Sequence, residues 1–136
     1  MAESATHANL VESMRQWVID NCFDEDSGFV LVDNPEGTRF TKPPNTYGFV
    51  PDLFARRKSE GGIIIGEAKT VRDLENPHTR AQLTAFLKRC SEEMNSMLVL
   101  AVPWHMERFA KNLVRSISHQ ESHCGVEVVI LNRLQG

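Results

Sequence analysis

The chain has 136 residues, with 15 Lys+Arg against 18 Asp+Glu, a formal net charge of -3 and 41% hydrophobic residues. These values fit one globular domain over residues 1–136, long enough to bury roughly two-thirds of its unfolded surface without a metal or disulfide staple. No apolar run approaches the ~20 residues that a membrane-spanning helix needs. The opening MAESATHANLVESMR is too polar for a secretory signal, and three scattered cysteines, Cys22, Cys90 and Cys124, do not suggest a disulfide framework. A cytoplasmic setting is expected. The mild acidity excludes a protein held to nucleic acid by bulk charge, so any such contact needs a local patch.

In chain order, Leu10, Met14, Trp17 and Val18 recur at helical spacing and predict an amphipathic helix from about Ala8 to Asn21. Gly28 to Val32 reads as a short apolar strand, followed by turn chemistry from Asp33 to Gly37. Arg39 to Thr41 is a candidate for a further short strand, and Lys42 to Thr46, with two prolines, is a loop. Phe49 to Arg57 and Gly62 to Thr70 read as two strands of a hairpin, joined by Lys58-Ser59-Glu60-Gly61. Ile63-Ile64-Ile65 is apolar on both faces, as in a strand covered on both sides.

Asn76-Pro77 is a helix start, a side-chain cap followed by proline at the first helical position. Its apolar stripe is Leu83, Phe86, Leu87, Cys90 and Met94. Met97 to Val102 predicts another buried strand. Pro103 then opens a helix with the stripe Met106, Phe109, Leu113 and Ile117, and Val126 to Leu131 is the last strand. Trp17 and Trp104 fall among core positions. The class is α/β: a mixed β-sheet flanked by helices, an αβββαβ core plus a C-terminal αβ.

The chemistry lies in the hairpin. A four-residue loop from Lys58 to Gly61 pairs Arg57 with Gly62 and sets Asp52 directly opposite Glu67, side chains on one face. Lys69, two residues past Glu67, shares that face. Two carboxylates side by side are costly to bury unless cations join them. Lys69 supplies one positive charge, and a hard divalent ion such as Mg²⁺, or Mn²⁺ in its place, suits the oxygen ligands. Such an ion polarises a phosphoryl oxygen and acidifies a water, while the lysine orients that water or stabilises the developing charge. The set fits phosphodiester hydrolysis.

Pro51-Asp52, fourteen residues and then Glu67-Ala68-Lys69 resembles the signature of the PD-(D/E)xK nuclease superfamily, whose fold is restriction-endonuclease-like. The order of elements from about Ala8 to Val102 is also similar to that family's core. The resemblance implies that Asp52, Glu67 and the Ala68 carbonyl hold the metal and that Lys69 assists the nucleophile. Gln82, early in the helix after the motif strand, matches a glutamine found near the active site in this family. Glu12 is the position that a resolvase-like branch would use, but at ~100° per residue it points away from the Leu10/Met14/Trp17 stripe.

Arg56, Arg57, Arg72 and Arg80 are candidates for phosphate contacts, the last two because they flank a helix start. Tyr47 is a candidate for base stacking or for packing at the sheet edge. His119, His123 and Cys124 lack a fourth zinc ligand at a plausible spacing. The expected activity is Mg²⁺-dependent cleavage of DNA by a small enzyme acting as a homodimer or within a larger complex. The rival readings are a nucleic-acid-binding or scaffold protein that keeps the fold without cutting, and a binder or hydrolase of a small phosphorylated ligand.

Overall fold

In the computed structural model, residues 5–23, 28–33, 42–58, 61–121 and 125–132 are described. The order is α1 (Ala5–Cys22), β1 (Phe29–Val32), β2 (Leu53–Arg56), β3 (Ile63–Ala68), α2 (Val71–Leu74), α3 (Pro77–Ser91), β4 (Met97–Ala101), α4 (Glu107–Glu121) and β5 (Glu127–Leu131). The strands form one five-stranded sheet in the order β1-β2-β3-β4-β5. Pairing is antiparallel from β1 to β3 and parallel from β3 to β5, so the molecule is α/β with a mixed sheet flanked by helices.

Two successive crossovers of one hand, advancing the same way along a sheet, place both connecting helices on one face. Accordingly α3 and α4 share a core with Phe54, Ile63, Ile65, Leu98 and Leu100. The other face is covered by α1, whose Leu10, Met14 and Val18 pack on Leu53, Ala55, Ile64, Val99 and Ala101. β3 is buried along its whole length, as its isoleucine run predicts. Asn76 Oδ1 accepts from the His78 amide at 2.9 Å and Pro77 opens α3, which is the cap read from Asn76-Pro77.

Several elements differ from expectation. Helix α1 begins at Ala5, a turn earlier than the apolar stripe announces, and so includes His7. β2 starts only at Leu53, because Thr46–Phe49 forms a tight turn of its own with positive φ at Tyr47 (51°) and Gly48 (95°). Phe49 therefore leaves the sheet and packs edge-on against Phe86 and His78 of α3. α3 stops at Ser91 before Met94, which is 85% exposed. A short 3-10 turn, Trp104–Met106, precedes α4.

Of the stripe expected for α4, Met106, Leu113 and Ile117 pack on the core, joined by Ala110 and Val114, while Phe109 is left 42% exposed and Trp104 is 67% exposed rather than in the core. Trp17 is partly buried against the α1 face, as expected. The possible strand at Arg39–Thr41, the turn residues Ser59 and Glu60, and His123 and Cys124 lie outside the described residues.

Candidate active site at the hairpin mouth

The β2/β3 register is Leu53↔Gly66, Phe54↔Ile65, Ala55↔Ile64 and Arg56↔Ile63, the alignment that the four-residue loop implies. Gly61 and Gly62 adopt φ of 72° and 81°, values that favour glycine at the turn. Extending the register one step past Leu53 brings Asp52 against Glu67. There the ladder is continued by side chains. The Asp52 amide donates to Glu67 Oε1 at 3.0 Å, and the Ala68 amide donates to Asp52 Oδ2 at 2.8 Å. Each acid thus locks the other's strand.

Alternation along β3 puts Glu67 on the face of Ile63 and Ile65, beneath α3. Lys69 follows on the same side. Its ammonium lies 3.2 Å from Glu67 Oε2 and donates to Gln82 Oε1 of α3 at 2.5 Å. Glu67 is 3% and Lys69 8% exposed, so the charges face each other with little water between them. Four of the residues named from sequence, Asp52, Glu67, Lys69 and Gln82, form one connected cluster.

Burial, and secondarily the negative charge of Asp52, pushes the Glu67 carboxyl up to about 8, against the opposing pull of Lys69 and the Asp52 amide. A second cation would relieve that tension. Asp52 Oδ1 makes no hydrogen bond among the described residues, so an acid oxygen remains for a ligand. The Ala68 N–H donates to Asp52, so the backbone at Ala68 lies beside the acids. Among the described residues no group of three or more His, Cys, Asp or Glu side chains is arranged as a metal centre.

His7 was missed by the motif reading. Its Nε2 lies 3.3 Å from Asp52 Oδ2, with the two side chains 18% and 15% exposed. It stands one turn before Leu10, on the stripe that carries Met14 and Val18, so helical phase alone directs it to the sheet. Glu12 points to solvent and pairs with Arg15 at 3.3 Å, as its phase predicts.

The arginines are not gathered here. Arg56 and Arg57 sit at the turn end of the hairpin, on the order of 13 Å along the strand from Asp52. Arg56 forms a two-pronged pair with Glu93 at 3.0 and 3.1 Å, and Arg57 donates to the Asn95 carbonyl. Arg80 ties α3 to α4 through Ser116 Oγ (3.1 Å) and Gln120 Oε1 (2.6 Å). Arg72 is exposed on α2, just past Lys69. Tyr47 is exposed beside α3, its hydroxyl on Glu92 and its ring 4.4 Å from Lys88 Nζ.

Among the described residues no helix is long and apolar enough to cross a membrane. Comparison of the chain with known protein families, with curated proteins and with solved structures finds no match.

Proposed function

We propose that this protein is a divalent-metal-dependent nuclease that hydrolyses phosphodiester bonds of DNA, a relative of the PD-(D/E)xK enzymes with a restriction-endonuclease-like fold. The observation that carries the reading is the cross-strand latch of Asp52 and Glu67 beside the buried ammonium of Lys69. The mixed sheet, with α1 on one face and α3 and α4 on the other, agrees with it.

Asp52, Glu67 and the Ala68 carbonyl would hold Mg²⁺ or Mn²⁺. When bound, the ion supplies Lewis acidity toward a phosphoryl oxygen and makes a water more acidic. The rest of the chemistry belongs to the chain. Gln82 and Glu67 pin the Lys69 ammonium, which keeps a third N–H for a water or for the charge that grows on the phosphorus oxygens. The apolar core beneath the acids limits water on that side, which strengthens each of these contacts. His7 holds Asp52 from the α1 side and restricts its rotamer.

Plasmid and oligonucleotide cleavage with Mg²⁺ and Mn²⁺ tests the proposal. Asp52→Ala and Lys69→Ala are each expected to lower the rate by about 10²–10³-fold while circular dichroism stays that of the wild type. Cleavage unchanged in either purified variant, or no cleavage by the wild type on any DNA form, would overturn it. In the second case, retained DNA binding would favour a non-cutting scaffold.

A further inference from the structure

Outside the hairpin mouth, the least expected surface is that of α4. Its sheet-facing stripe is Ala110, Val114 and Ile117. At ~100° per residue, Arg108 and Arg115 lie on the side of the helix away from that stripe, with Lys111 on the flank beside them, and all three are exposed. Arg108 and Arg115 have no ion-pair partner among the described residues. Lys111 is paired with Glu107 at 2.8 Å. Counting that acid, the face still carries an excess of positive charge in a chain of net charge -3.

At the head of this face stands Trp104, 67% exposed, with His105 edge-on at 5.5 Å between ring centroids. An indole left in water is unusual, because aromatic rings dominate burial energetics. Here it rims an open groove of about 620 Å³ whose other walls include Arg108, Lys111, Asn112 and Arg115. The groove begins at the same end of the sheet as the acids. Ala101 pairs with Ala68, the Lys69 amide donates to the Ala101 carbonyl at 3.0 Å, and Trp104 follows three residues later.

We propose that this Trp104–Arg108–Lys111–Arg115 face binds single-stranded DNA, which makes a single strand or a frayed end the substrate class of the neighbouring site. The inference rests on the nuclease reading for its link to cleavage, but the binding surface stands on its own residues. The indole offers a stacking platform that a base inside a duplex cannot use, and the cations follow the phosphates at helical intervals. Arg108 and Arg115 are two turns, ~10.5 Å, apart.

The test is a binding titration in EDTA, where cleavage plays no part. Labelled oligo(dT) and a duplex of equal length are followed by fluorescence anisotropy over a range of salt. The single strand is expected to bind more tightly. Trp104→Ala should weaken it by about fivefold or more, the loss of one stacked base. Arg108→Ala with Arg115→Ala should flatten the dependence of log K on log salt by about 1.4. Lys58→Ala, exposed at the far end of the hairpin, should change nothing. These are surface changes that leave the core untouched.

Equal binding by wild type, Trp104→Ala and the double arginine variant would overturn the proposal, as would tighter binding to the duplex. Trp104-dependent binding by a protein that cuts no DNA would remove the nuclease reading and leave this one. Metal-dependent cutting with no contribution from this face would do the reverse.

Discussion

Glu93 accepts from Arg56 at 3.0 and 3.1 Å and from Arg89 at 2.8 Å, so one carboxylate joins β2 to α3. Arg56 first, and Arg89 second, hold its carboxyl at about 2, below the ordinary carboxylate range. A depressed folded value means that the stabilisation is complete above the unfolded pKa of ~4.3 and fades as pH falls toward about 2. These side chains are 26–42% exposed, and solvent screening keeps the contribution to about 1 kcal/mol. Urea titrations of wild type and Glu93→Gln should therefore differ by about that much at neutral pH and converge near pH 2. A constant difference would contradict the pairing. Single residues were unequally legible in the sequence. The acids and Lys69 are placed by register and alternation, which short-range spacing sets, whereas Gln82 is named only through the family resemblance. His7 required only the phase of α1, but a polar residue before the first apolar position does not announce that the helix has begun. The arginines could not be placed, because their partners lie 36 to 40 residues away.

Among the elements, the hairpin was the most legible, since loop length and alternation together determine which residues face each other. Its two glycines are not equivalent. A Cβ on Gly62 would lie 2.3 Å from the Asn95 carbonyl oxygen, whereas one on Gly61 meets nothing within 4 Å. Both have positive φ, so Gly61→Ala should cost only the backbone strain, about 1 kcal/mol. Gly62→Ala adds a backbone collision and should cost about 3 kcal/mol or more. Denaturant midpoints compare the two, and equal losses would refute the close approach. The other boundaries were hidden for physical reasons. Turn Thr46–Phe49 takes Phe49 from the strand through the left-handed backbone at Tyr47 and Gly48. The 3-10 turn after Pro103 carries Trp104, which faces outward. Neither event changes the apolar pattern that a periodicity reading follows.

At the scale of the whole molecule, three separate parts of the chain meet at one end of the sheet. α1 brings His7, the hairpin brings Asp52, Glu67 and Lys69, and α3 brings Gln82. Gly66 permits this closeness, because a Cβ there would lie 2.8 Å from Met14 Sδ of α1 and 3.1 Å from Leu53 Cβ. The layer order was legible, since strands followed by alternating helix and strand leave few right-handed arrangements. What it left open was which polar side chains the layers would press together. The central claim is that the paired acids seat one divalent cation. Isothermal titration calorimetry with Mn²⁺ on the full chain tests it most directly, comparing wild type with Asp52→Asn/Glu67→Gln. The account predicts one bound ion per chain in the wild type and none at that site in the double variant, with both folded. Equal Mn²⁺ binding by the two proteins, or none by the wild type, would contradict it.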